Sequence, residues 1–195
     1  DEVLAFAEKL YDAKNPYMGD VYADRTIMSL LLEELGVTGF SGNEIQTYEE
    51  PYWISFSFDE EPNDNRMWQA SAMFMALVDN AEEVRWTFYD EYETLNTCYV
   101  TLDSVNAYLE GKNLKDYADS AEQLAKLWDI LDKKRTFATI ASGEYKSVLV
   151  ATSEWERQAN KAGLDFTERI TWENRLKSDG IGYRGDDGYV AGCQY

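Results

Sequence analysis

Tyr52-Trp53-Ile54-Ser55-Phe56-Ser57-Phe58 sets Tyr52, Ile54, Phe56 and Phe58 on one side of the chain and Trp53, Ser55 and Ser57 on the other. A period of two in which one set is bulky and apolar is the pattern of a half-buried strand. Upstream, Glu44 to Tyr48 reads as its partner across a Glu49-Glu50-Pro51 turn, so the first hairpin is set. Val84, Trp86 and Phe88 alternate again, and Leu95 to Thr101 returns behind the Asp90-Glu91-Tyr92-Glu93 turn as a second hairpin. Between the hairpins lie the polar stretch Asp59 to Asn65 and an apolar helix with Met67, Ala70, Phe74, Leu77 and Val78 on one face. Two hairpins separated by a helix predict an α+β fold: a small, mainly antiparallel sheet with helices packed on one side.

The flanks are helical. Val3, Leu4, Ala7, Leu10 and Tyr11 recur at helical spacing and stop at Asn15-Pro16, where proline disfavours helix for the residue before it. A second helix carries Ile27, Leu30, Leu31 and Leu35 and ends at Gly36, which suits the left-handed position past a helix. Beyond the second hairpin, Val105, Tyr108 and Leu109 precede a stop at Gly111, and a longer helix opened by Ser120 carries Leu124, Leu127, Trp128 and Leu131. After Lys134 the periodicity fades: Val148-Leu149-Val150 fits strand or buried helix, Ser153 to Glu156 gives a capping-box cue, and the glycine-rich tail from Ser178 reads as loop or extended edge. We therefore expect an α+β domain over 1–134 and a C-terminal extension over 135–195 packed on it.

Composition narrows the function. The chain has no histidine, and 37 Asp and Glu face 18 Lys and Arg, a formal net charge of −19. Without histidine the usual general base, nucleophile activator and nitrogen metal ligand are missing. The negative field repels nucleic-acid phosphates and anionic lipid, so nucleic acid is not an expected partner. Aromatics at 14% mark a globular chain rather than a solvated acidic tail. No run reaches the roughly 20 apolar residues of a membrane span. The start at Asp1-Glu2-Val3, with neither an initiator Met nor a basic signal region, leads us to expect that an upstream segment has been removed.

Four blocks carry a resemblance: Asn15-Pro16-Tyr17-Met18-Gly19-Asp20, then Gln46-Thr47 with Pro51-Tyr52, then Ala76 to Val84, and Gly111-Lys112-Asn113-Leu114. In order and spacing they resemble a bacterial domain family known as domain of unknown function 4825, over roughly Leu4 to Leu131. The resemblance implies a secreted or lipid-anchored protein of Gram-positive bacteria, of a family also found beside antirepressor-type membrane metallopeptidases. It implies an extracytoplasmic binding or sensing role, membrane contact only through a removed lipid anchor, and no catalytic residues.

Tyr17, Gly19, Asp20 and Tyr52 are the candidate ligand-binding residues. A loop that presents a ring and a carboxylate suits a ligand, although Gly19 at positive φ and Asp20 as a helix cap explain the same residues structurally. Asp59, Glu61 and Asp64 offer the hard oxygens that calcium prefers, but without the alternating ligands and central glycine of an EF-hand. A solvated turn with Asn63 or Asp64 capping the next helix is the preferred reading there, and no cofactor other than calcium is considered. Cys98 and Cys193 form a disulfide candidate for an oxidising compartment. Trp53 and Trp155 read as core before sugar platform. The leading function is a non-enzymatic extracytoplasmic binding or sensor module for a protein or small molecule. A carboxylate-dependent hydrolase of cell-envelope glycans is the alternative, and a structural spacer the third.

Overall fold

A computed structural model describes residues 2–146, 181–184 and 190–192, with side chains through residue 135. The first hairpin forms between β1 (Phe40–Gln46) and β2 (Trp53–Phe58), in register Ile45 to Ile54 and Asn43 to Phe56. The second forms between β3 (Glu83–Tyr89) and β4 (Leu95–Thr101), with Val84 opposite Val100 and Trp86 opposite Cys98. β2 and β3 lie side by side in parallel, which requires a crossover, and α3 (Asp64–Leu77) supplies it. The apolar face is continuous across the strands, because Ile54 meets Val84 and Phe56 meets Trp86. All four are fully buried. The fold is α+β, as the alternation predicts.

Two further strands, β5 (Ile181–Arg184) and β6 (Val190–Gly192), extend the sheet beyond β4 to the order β1-β2-β3-β4-β5-β6. Every neighbouring pair except β2 with β3 is antiparallel. The glycine-rich tail, read as loop or edge, thus contributes two short strands.

α3 is the central element. Its residues from Met67 to Leu77 are all buried, not just one face, because it lies on the sheet and is itself packed against α2 (Val21–Leu35), α5 (Ala121–Lys146) and the 3₁₀ helix Leu114–Asp119. A helix enclosed on all sides must be apolar all round. Ala70, Ser71, Ala72 and Ala76 keep its neighbours close, while Phe74 meets Phe56 edge-to-face at 5.4 Å between ring centres. Asn63 caps its start by accepting from the Arg66 amide at 3.0 Å. α1 (Glu2–Asp12) packs along α5, where Phe6 meets Trp128 edge-to-face.

α2 ends where Gly36 takes φ 64°, its N–H donating to Glu33 and that of Val37 donating to the Leu32 carbonyl at 2.9 Å. Such a close satisfies the orphan carbonyls of a helix end and requires the left-handed conformation that glycine adopts without strain. α4 (Leu102–Tyr108) follows β4, with Thr101 as its cap. The division expected after residue 134 falls inside α5, where the buried Lys134 ammonium sits 3.6 Å from the centre of the Trp68 ring. Val148 to Val150, Ser153 to Glu156, Trp155 and Cys193 lie outside the described residues. Among the described residues no helix is long and apolar enough to cross a membrane.

Candidate functional site

The segment leaving α3, residues 77–83, collects the loops at the end of the sheet where β2 and β3 begin. Asn15 pairs with it through its backbone: its N–H donates to the Leu77 carbonyl at 3.0 Å, and its carbonyl accepts from Asp79 at 3.2 Å. The Asn15 side chain then folds the loop after α1. Its Nδ2 donates to the Tyr17 carbonyl at 2.8 Å and to Asp24 Oδ1 at 3.1 Å, and its Oδ1 accepts from the Tyr17 amide. Met18 is fully buried, and its amide donates to Asn80 Oδ1 at 2.6 Å. Asn15 and Asn80 thus clamp the loop from two sides.

Of the predicted residues, Asp20 is a cap: its Oδ1 accepts from the amides of Tyr22 and Ala23 at the start of α2. Gly19 corrects the expectation. It does not take a positive φ; a Cβ there would meet Tyr17 Cε1 at 2.4 Å, so any larger residue would have to displace the Tyr17 ring that lies over it. Gly19→Ala is expected to push that ring off the loop and cost about 1 kcal/mol in urea unfolding. An unchanged unfolding midpoint would show that the ring does not rest there.

Tyr52 belongs to the same end by a separate route. Its amide donates to Glu82 Oε2 at 2.7 Å and its carbonyl accepts from the amides of Glu82 and Glu83. The loop block and the hairpin block, separated by β1 and by all of α2 in sequence, are therefore each tied to residues 77–83.

Two ionisable groups under this end have unusual surroundings, and both escape the sequence reading. Asp24 has 0% exposure, and its Oδ2 has no hydrogen-bond partner among the described residues. Burial pushes its carboxyl up from 3.8 to about 6, against the pull of Asn15 and the Gly19 N–H and with the push of Asp20. Its signal is visible in hindsight, since Asp24 occupies the same helical stripe as Ile27, Met28 and Leu31. Lys115 reaches from the 3₁₀ helix to the end of α3, where its Nζ donates to the carbonyls of Met75, Val78 at 2.6 Å and Ala81 at 2.9 Å. Burial lowers its ammonium to about 8 while Asp79 and Glu82 push it back up, so it is charged at neutral pH. No local sequence pattern marks that contact.

The rings at this end face water. Tyr17 is 58% and Tyr22 85% exposed, with Tyr11 and Val21 also exposed beside them. The Tyr11 hydroxyl donates to the Asp119 carbonyl, and the Lys14 ammonium lies 3.9 Å from Asp79.

The remaining predicted residues fall elsewhere. Asp59 follows β2, where its amide donates to the Gly39 carbonyl, and Asp64 opens α3 with Oδ1 4.0 Å from Cys98 Sγ. Among the described residues no group of three or more His, Cys, Asp or Glu is placed to hold a metal ion, so Asp59, Glu61 and Asp64 do not form such a set. Asn63 turning back to cap α3 and Asp64 facing β4 account for that. Cys98 is buried in β4, while its proposed partner Cys193 is outside the described residues. Trp53 is half-buried with the Arg85 guanidinium 4.2 Å from its ring centre, so that face of the ring is already occupied. No family model, curated protein or solved structure matches this chain.

Proposed function

We propose that this chain is a non-enzymatic binding or sensor module that works outside the cytoplasm, with the surface of Tyr11, Tyr17, Val21 and Tyr22 as its contact face. One observation carries the reading: three large rings stand in water, Tyr11 near the end of α1, Tyr17 on the loop and Tyr22 at the start of α2, around a loop whose backbone is clamped from beneath by Asn15 and Asn80. Exposed tyrosine is an efficient contact residue, because it offers a large amphipathic area and loses little rotamer freedom. A clamped loop adds to this by lowering the ordering cost of binding. The absence of histidine from the sequence and the use of Asp20 as a cap argue in the same direction, away from acid–base chemistry at this loop. The family resemblance supports the extracytoplasmic location.

Thermal unfolding against a panel of envelope glycan fragments and peptides tests the reading. A binding module is expected to rise in melting temperature with at least one of them, the stability gained being RT ln(1 + [L]/Kd), with no product formed over time. Glycan fragments released by the protein and lost on mutating two acids would replace this reading with the hydrolase, and recovery of the native protein in the cytosolic fraction would overturn the location.

A further inference from the structure

We infer that the tyrosine surface docks a cationic, arginine- or lysine-rich segment of a partner protein; this rests on the binding-module reading and names the chemistry of the partner. Tyr11, Tyr17, Val21 and Tyr22 are 40%, 58%, 41% and 85% exposed within residues 11–22. Two of the rings are held in place: the Tyr17 ring lies over Gly19, and the Tyr11 hydroxyl is anchored on the 3₁₀ helix. The faces of such rings carry negative quadrupole potential and attract guanidinium and ammonium groups.

The charge around the rings has the matching sign. Asp12, Asp20, Asp79 and Asp119 are exposed beside them, the last two tied into this surface by Lys14 and Tyr11. Of the nearby cations, Lys14 is engaged by the Ala118 carbonyl and Asp79, Arg25 by Asn43 Oδ1 and Lys115 by the carbonyls of Met75, Val78 and Ala81, which leaves Lys9 exposed on α1. The occupant is narrowed further by the whole chain. At −19 a second copy, a nucleic acid and an anionic bilayer are all repelled, whereas a basic segment is drawn in.

The direct test is fluorescence anisotropy with a labelled oligo-arginine peptide, and oligo-glutamate as the charge-reversed probe. The matched control is the opposite end of the sheet, where Tyr89 at the end of β3 and Tyr92 on the β3–β4 turn are 62% and 79% exposed with Asp90, Glu91 and Glu93 around them. Oligo-arginine is expected to bind and to weaken as salt rises, and oligo-glutamate not to bind. Tyr17→Ser with Tyr22→Ser is expected to weaken binding by about tenfold or more, and Tyr89→Ser with Tyr92→Ser by less than about twofold. No binding of oligo-arginine at low salt, or equal losses in the two double variants, overturns the proposal; no loss in either would mean attraction by net charge alone, and equal real losses that any exposed tyrosine among acids serves as well. A neutral or anionic ligand whose stabilisation depends on Tyr17 and Tyr22 also overturns it, while leaving the binding-module reading intact. If no ligand of any charge depends on these tyrosines, both readings fall.

Discussion

Lys115→Met is expected to destabilise the protein by about 3 kcal/mol, read as a fall in the urea midpoint at unchanged slope. Methionine keeps the length and apolar character of the stem, so the change isolates the ammonium. What it removes is the donor to the carbonyls of Met75, Val78 and Ala81, the last turn of α3 and the segment after it. A helix end leaves its final carbonyls without partners and carries partial negative charge, so a cation there both bonds them and opposes the dipole. Hydrogen bonds to a charged group are worth about 1.5–3 kcal/mol each, but burial, which lowers this ammonium to about 8, costs about 3 kcal/mol against the three of them, and water can reach part of the half-buried site when the ammonium is gone, which leaves a net loss near 3 kcal/mol. Because α3 is buried from Met67 to Leu77 and packs on the central strands β2, β3 and β4, the loss should appear in global unfolding rather than as local fraying. A loss below about 1 kcal/mol would show that water replaces the lysine without penalty and that the contact is incidental. Lys112→Met, on the exposed turn before the 3₁₀ helix, provides the baseline for removing a surface charge from an acidic protein.

The elements that sequence reveals best here are those fixed by neighbours along the chain. Alternation in 52–58 and 84–88 is a local signal, and β2 and β3 follow it. Gly36, Asn63 and Ser120 mark helix ends because capping is settled within a turn of helix: Gly36 closes α2, Asn63 opens α3, and the Ser120 hydroxyl accepts from the Gln123 amide ahead of α5. β5 and β6 are different. At four and three residues with glycine among them, they lack a periodic pattern; β5 is held extended by pairing to β4, more than 80 residues away, and β6 by pairing to β5. The enclosure of α3 was readable in part from its run of Ala and Met, but which elements enclose it is a tertiary fact. The site divides along the same line. The ring, glycine and cap of 17–20 were visible as residue types, whereas the reason for Gly19 lies in the placement of a neighbouring ring. Asn15 was read only as the end of a helix, yet its side chain holds the loop and its backbone pairs with α3's exit. Lys115 and Asn80 act across tens of residues and left no pattern to find.

Asp24 gives the second large effect, with the opposite sign: Asp24→Asn is expected to stabilise the protein by about 2 kcal/mol at pH 7.5. The carboxyl titrates at about 6 in the folded chain against 3.8 as a free group, because burial disfavours its charge more than Asn15 and the Gly19 N–H restore it. Above pH 6 it is ionised in both states, and the folded protein carries the cost of a buried charge, about 3 kcal/mol for a shift of this size at 1.36 kcal/mol per pH unit. As pH falls from 6 toward 3.8 the folded state takes up a proton that the unfolded state does not. Stability from this group therefore rises as pH falls through that window, is fully regained below 3.8, and is lost again above 6. Asparagine removes the charge at every pH while keeping an oxygen for the Asn15 Nδ2, and its own amide nitrogen takes the place of Oδ2, which already has no partner among the described residues. Burying that unpaired amide costs about 1 kcal/mol, which reduces the expected gain from 3 to about 2. The difference between Asp24→Asn and the wild type cancels the other carboxylates, whose contributions run the other way in acid. It should fall from about +2 kcal/mol at pH 7.5 to zero or slightly below near pH 4, where the native carboxyl is itself neutral. Asp119→Asn, which removes the same charge from an exposed position, separates burial from the relief of net repulsion. A difference that does not change between pH 7.5 and 4, or that Asp119→Asn reproduces, would mean that the buried carboxylate is not the group the loop is built around.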